Sequence, residues 1–383
     1  MALMFEAIRG RVLDTDSHEQ LSPDGAIDAF GDRLRRWREL PSSLNLLSVP
    51  GPNSGFEVAS DTAELTQDEV WTKKMNEAPG TGDMTRRRAV LDVMGIDRAL
   101  IFPGMATLPM IQALGGLGGV FSVPSAEDRA LAWDVCEAQN EWASSFSKNV
   151  RDRMWMVGVL PITKEGATPE WLVQEANRLL KMGLRGFQIP VGHAPAGLSP
   201  ADPALDKFYA TVAEANVPLL SHPPSSVGFT SAEWLRLNYA LGNSHIGVEN
   251  YLSMMIVGGV FERHPTLRFG AIETGASWIG PTAERLDFSS VDMAEMMGQP
   301  KPKILPSEVL SRNVRVAALG YEPVEIWLER YPEIQDVYCY SSDYPHVEGR
   351  KWSLRHTFDR VAPLGEAVVN KFFCENAKLL MPS

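Results

Sequence analysis

Apolar positions in this chain come in two rhythms. Short, largely apolar runs of six to ten residues recur along it, as in RVLDTD (11–16), DRALIFP (97–103), RMWMVGVLP (153–161), LRGFQIP (184–190) and PLLSHPP (218–224). LRFGAIETG (267–275), RNVRVAAL (312–319) and DVYCYSSDYP (336–345) complete the set. Between them lie longer stretches with helical spacing: 83–95, 125–149, 169–183, 203–217, 251–265, 277–288, 322–333 and 365–381. The first and third stop at a glycine, and the second opens on Ser125 with Glu127 and Asp128 in its first turn, as a capped helix should. Apolar strands alternating with helices predict a parallel sheet covered on both faces. Eight such units predict a closed α/β fold, the (β/α)8 TIM barrel. A doubly wound sheet would bring a glycine-rich phosphate turn after the first strand, and DTDSHE is not one.

Two segments break the rhythm. Residues 19–82 are polar, rich in Pro, Gly and Asn and poorly periodic, with one helix expected near 27–37. They are expected to be an insertion after the first strand that covers the barrel mouth, in a single barrel spanning 1–383. Residues 99–126 carry no charge until Glu127 but contain Pro103, Pro109, Pro124 and five glycines, which is wrong for a membrane-spanning helix. They read as a strand followed by a flexible apolar loop.

Composition narrows the partners. A 44% hydrophobic chain of 383 residues can bury a large core. A net charge of −12 without a Lys/Arg cluster argues against nucleic acid and anionic membrane. Cys136, Cys339 and Cys374 are scattered, so no disulfide framework or zinc ribbon is expected. With no apolar leader among the first ten residues, the expected location is the cytoplasm.

The chemistry gathers where barrel strands end. The first strand ends in Asp14, Asp16 and His18, the fourth in Gln188, the fifth in His222, the sixth in Glu273, and the eighth in Ser341 and Asp343 with His346 beyond. Alternation along a strand puts Asp16 and His18 on one face, with Asp14 expected a layer deeper. Carboxylates crowded in a barrel repel and lose hydration unless a cation joins them, and imidazole with carboxylate suits Zn, Fe or Mn. Asp16, His18, His222 and Asp343 are the expected metal ligands. Glu273 and His245 are the expected catalytic or second-ion residues. Asp14 is expected to hold His18 or a loop backbone, and His346 to orient a loop. His193, His264 and His356 read as structural or surface.

The strings DTDSHE, LLSHPP, LRFGAIETGASWIGPTAERLD, YSSDYPHVEG and ENAKLL, in this order, resemble the amidohydrolase-related family that includes the aminocarboxymuconate-semialdehyde, resorcylate and carboxyvanillate decarboxylases. The resemblance implies that the family's strand-one His-x-His falls on Asp16 and His18, its strand-five His on His222 and its strand-eight Asp on Asp343. Its strand-six His, the usual acid/base of the decarboxylases, falls on Glu273. The bridging lysine of the binuclear hydrolases is missing, because strand four offers Gln188.

The expected function is a metal-dependent hydrolase or non-oxidative decarboxylase for a small carboxylate, amide or lactone. The divalent ion is zinc first, with manganese or iron and a second ion as alternatives. The rival activity is a dinuclear iron or iron–manganese hydroxylase, and the non-enzymatic rival is a barrel subunit supporting a catalytic partner. The resemblance further implies a homo-oligomer, a dimer first, or a hetero-oligomer with a related subunit.

Overall fold

The computed structural model describes residues 4–40, 64–115, 124–223, 244–298 and 301–382. Eight strands form one parallel sheet in the order of the sequence: β1 Val12–His18, β2 Ile96–Phe102, β3 Met154–Val159, β4 Gly186–Gln188, β5 Leu219–Ser221, β6 Phe269–Ala271, β7 Val314–Ala318 and β8 Tyr338–Tyr340. The chain beyond β8 returns to β1 and closes the ring. The Asp343 N–H donates to the Asp16 carbonyl at 2.9 Å and the His18 N–H to the Tyr344 carbonyl at 2.7 Å. Sequential order with first beside last is the barrel that the alternation predicts, and it excludes the doubly wound sheet.

The barrel interior is filled by alternate side chains, Leu100 and Phe102 from β2, Trp155 and Val157 from β3, with Leu13, Leu220, Ile272, Ala317 and Cys339. Ala377, Leu380 and Met381 close its lower end. Three arginines near the starts of β2, β6 and β7 fasten this plug. Arg98 donates to Met381 O at 3.1 Å, Arg268 to Leu379 O at 2.8 Å and Arg315 to Asn376 O at 2.8 Å. These are the carbonyls that a helix end leaves without donors. The expected helix 365–381 is therefore broken into short turns, Glu366–Asn370 being its only regular part.

Helices follow the sequence closely where the pattern is strong. Met84–Met94 ends on Gly95 in the left-handed region at φ 82°, and Ala126–Val150 opens with a capping box of Ser125 and Asp128. Within the insertion the expected helix is Pro23–Arg38. Its Phe30, Leu34 and Trp37 pack in one cluster with Met110, Leu131 and Val135, so this half of the insertion belongs to the barrel wall. Residues 41–63 of the insertion lie outside the described residues. The apolar loop expected after β2 is helical over Thr107–Ala113, and its residues 116–123 also lie outside them. The helix expected over 251–265 starts earlier and ends earlier, as His245–Val257 with a separate turn Val260–Arg263.

One irregularity in β1 corrects the alternation argument. Asp14 pairs with Ala99 and Ser17 with Ile101, so three steps on β1 match two on β2. Ala99 and Ile101 belong to the outer core, whereas Phe102, the partner of His18, belongs to the interior. The extra residue of this bulge reverses the phase of the strand. Asp14 and Ser17 face outward, and Asp16 and His18 face the mouth. Asp14 is thus not a deeper layer of the same row. Its Oδ1 accepts from Ser342 N at 2.8 Å and Asp16 N at 3.2 Å, its Oδ2 from Ser342 Oγ at 2.5 Å. It ties β1 to the chain after β8.

Candidate metal centre at the barrel mouth

Asp16, His18, His222, Glu273 and Asp343 meet at the C-terminal ends of β1, β5, β6 and β8. His18 Nε2 lies 3.1 Å from Asp16 Oδ1, 3.4 Å from Asp343 Oδ1 and 3.7 Å from Glu273 Oε2. His222 Nε2 lies 2.7 Å from Glu273 Oε2 and 3.5 Å from Asp16 Oδ1. His222 Nδ1 sits 2.5 Å from the Pro223 carbonyl, which can only accept. Nδ1 therefore carries a proton, and Nε2 is the ring atom that faces the centre. The Phe102 ring stacks on His222 at 4.6 Å and shields it.

The backbone is bent to present the two late carboxylates. Glu273 and Asp343 have φ of 54° and 49°, a region that costs a side-chain-bearing residue about 1–3 kcal/mol and collects at functional sites. Glu322 braces the Glu273 loop. Its carboxylate accepts from Ala276 N at 3.0 Å and Leu319 N at 2.8 Å, joining the chain after β6 to the chain after β7. Arg87 braces β1. Fully buried, it donates to Gly80 O at 2.9 Å, Ser17 Oγ at 2.9 Å and His18 O at 2.6 Å, and lies 4.5 Å from the Tyr344 ring centroid.

Electrostatics reveal a centre built for a cation. Both carboxylate oxygens of Asp16 and of Asp343 are buried without a hydrogen-bond partner, as are both ring nitrogens of His18. Buried polar atoms are rarely left so. Two carboxylates about 4 Å apart repel by about 4 kcal/mol at an effective dielectric of 20, a large part of a domain's net stability. Without an ion, imidazole protons carry the compensation. Burial opposes charge on His222, but Glu273 and Asp16 overcome it and raise its pKa to about 9. Burial likewise opposes charge on His18, and Asp16 and Asp343 hold its pKa well above the usual value. Burial disfavours the Asp343 carboxylate too, yet His346 and His18 keep its pKa below the ordinary range. Glu273 goes the other way, raised by burial and then by the charge of Asp343. The donors fit a divalent ion in number and chemistry.

His245, expected to act here, heads the helix His245–Val257 and joins neither donor group found among the described residues. His346 does join. Its Nδ1 is 3.0 Å from Asp343 Oδ1, and its ring stacks 4.0 Å from that of His18. Gln188 is buried at the end of β4 with both amide atoms unpartnered. Arg87 and Glu322 escaped the sequence reading. Arg87 left a signal, since it occupies the apolar stripe of its helix between Met84 and Val90; Glu322 left none. A cavity of about 590 Å³ lined by Arg98, Trp155 and Arg185 is at the opposite, lower end of the barrel and takes no part in this centre.

A parallel eight-stranded barrel with imidazoles and carboxylates converging at its mouth defines a class, the metal-binding barrels. A family model described as Amidohydrolase matches residues 92–380, and the chain belongs to that family. Its fold is shared with an amidohydrolase from Mycobacterium avium subsp. paratuberculosis K-10, at 19% identity and a TM-score of 0.65 over 97% of this chain and 99% of that one. It is shared with a 5-carboxyvanillate decarboxylase from Novosphingobium aromaticivorans DSM 12444, crystallised with manganese and 4-hydroxy-3-methoxy-5-nitrobenzoic acid, at 18% identity and a TM-score of 0.60 over 97% and 96%. A 2,6-dihydroxybenzoate decarboxylase from Rhizobium is similar at 16% identity and a TM-score of 0.60 over 97% and 98%. A search of curated proteins found no match.

Proposed function

We propose that the chain is a metal-dependent lyase that removes the carboxyl group of a small aromatic acid without oxidation, with hydrolysis as the related chemistry of the same site. One observation carries this reading: Asp16, His18, His222 and Glu273 bring ligand atoms within 4.8 Å of one another, as do His18, Glu273, Asp343 and His346, and the buried oxygens of Asp16 and Asp343 and both ring nitrogens of His18 have no hydrogen-bond partner. The fold shared with two decarboxylases of substituted benzoates supports the substrate class.

Asp16, His18 and His222, with an oxygen of Asp343, would hold the ion. Such an ion supplies Lewis-acid stabilisation of negative charge developing on a substrate oxygen. Glu273 moves the proton: burial and the charge of Asp343 raise its pKa, and its side chain is the most open of the three carboxylates, at 14% exposure. In the lyase reaction that proton goes to the ring carbon that loses the carboxyl group; in hydrolysis the carboxylate form takes one from water. Phe102 supplies an apolar wall for an aromatic ring. The end of the insertion reaches the loop after β8, where Met75 N donates to Pro345 O at 2.9 Å and Lys74 Nζ to Arg350 O at 2.7 Å. This contact supports the insertion as a cover of the mouth, with Lys74 as a cation for an acid substrate.

The three carboxylates Asp16, Glu273 and Asp343 at one mouth suit a harder, redox-active metal and favour one second reading, an oxygen-activating hydroxylase. Anaerobic turnover separates the two. Manganese-loaded protein is incubated with hydroxybenzoates under nitrogen, and carbon dioxide release is followed. Release is expected for the wild type, with at least a hundredfold loss and little bound metal for Asp343→Asn. Turnover only in air, with oxygen uptake, would establish the hydroxylase instead.

A further inference from the structure

The layer of side chains just beneath the metal ligands contains a polar group without a partner. Gln188 ends β4, paired across the ladder with Val159 of β3 and Leu220 of β5. Leu220 faces the barrel interior, so its ladder partner Gln188 does too. In an eight-stranded barrel of this kind the level climbs one residue per strand, and alternate strands fill one layer. Followed through the registers, that rule sets Phe102, Gln188, Ile272 and Ser341 together, one step below His18 and His222. The Phe102 ring, 4.6 Å from that of His222 and 6.0 Å from that of His18, marks how close this floor comes to the ligands.

Phe102 and Ile272 are apolar, and Ser341 Oγ donates to the Ala318 carbonyl at 2.9 Å. Gln188 differs from all three. It is 0% exposed, and neither its amide oxygen nor its amide nitrogen has a hydrogen-bond partner. A buried amide is rarely left so, because it has given up water and gained nothing. The interior below offers it no space. A Cβ built on Gly186, two residues before Gln188, would lie 2.8 Å from Leu220 Cδ1 and 3.3 Å from Val157 Cγ2. A partner for the amide therefore comes from the mouth.

We infer that Gln188 selects the substrate by receiving a hydroxyl group carried on the ring of the aromatic acid. The inference rests on the aromatic-acid reading of the mouth and deepens it. The amide is neutral and has a free donor and a free acceptor. A hydroxyl can accept from the N–H and can donate to Oε1, so it suits either edge. An ether or carboxylate oxygen suits the donor alone and sets its lone pairs against Oε1, and a bare ring edge suits neither. Sites that leave their own buried polar groups unpaired reject such analogues strongly.

The test reads binding and does not depend on turnover. Full-length manganese-loaded protein is titrated calorimetrically under nitrogen with the 2-, 3- and 4-hydroxybenzoates, the methyl ether of each, and benzoate. The wild type is expected to bind at least one hydroxybenzoate about tenfold or more tighter than both its methyl ether and benzoate. Gln188→Met keeps the shape of the side chain and removes both hydrogen-bonding atoms. It is expected to narrow that preference to about threefold or less with its bound manganese unchanged. A wild type with no preference, or a variant that keeps the preference or weakens all the acids alike, overturns the inference. A wild type that binds none of these acids overturns the aromatic-acid reading itself, a different result. Gln188→Leu takes the place of the methionine variant should that one not fold.

Discussion

His222 shows what a single side chain contributes. Its Nδ1 proton is committed to the Pro223 carbonyl, so every change at its other nitrogen is felt at the centre. In the metal-free protein Asp16 and Glu273 raise its pKa to about 9, and that proton must leave before Nε2 can bind an ion. Below about pH 9 metal uptake therefore releases protons, and affinity rises with pH until that value and then levels. Apparent dissociation constants for manganese measured from pH 6 to 9.5 should fall steadily; a flat profile would remove His222 from the ligand set. Some of this residue-level chemistry is legible in the sequence. Asp16, His18, His222, Glu273 and Asp343 are carboxylates and imidazoles at the ends of recognisable strands, and strand ends of a barrel share one mouth. His245 is not legible in the same way, because it stands at a helix start and not at a strand end. His346 lies in the turn beyond β8, and only the three-dimensional path of that turn stacks it on His18.

At the scale of elements, the bulge in β1 and the two buried braces set the site. A regular strand with Leu13 inside would turn Asp16 and His18 outward, away from β5 and β6; the extra residue between Asp14 and Ser17 turns them in. The twofold period of a strand is in the sequence, but a bulge is an accommodation between two strands and needs both. Arg87 makes a sharp prediction at this scale. Arg87→Ala leaves Ser17 Oγ, His18 O and Gly80 O without their donor and opens a hole beside Tyr344. Unfolding of the metal-free protein in urea should show a loss of about 2–4 kcal/mol. A loss within about 0.5 kcal/mol would mean that the β1 end is held by other contacts.

Across the whole molecule, the mouth and the plug sit at opposite ends of one closed barrel. The lower end is packed by Ala377, Leu380 and Met381 and fastened by arginines, and it can be rigid. The upper end concentrates like charge and is stable only with protons or an ion. Chelation should therefore lower the melting temperature most above about pH 9, where His222 has lost the proton that stands in for the ion. Metal at a hundred times its dissociation constant contributes about 2.7 kcal/mol, so the difference between loaded and stripped protein is measurable by calorimetry. Equal melting temperatures at both metal levels would leave the mouth without its cation. Among the described residues no helix is long and apolar enough to cross a membrane.

The sequence by itself determined the alternation of strand and helix, the number of strands, and thereby the end of the barrel at which the donors gather. These follow from local apolar periodicity and from the rule that parallel strands need covered faces. Tertiary structure alone decided which face of β1 looks inward, that His346 and not His245 stands with the donors, and that Arg87 and Glu322 hold the loops in place. Each of those depends on a partner distant in the chain, and no local pattern encodes where that partner will be.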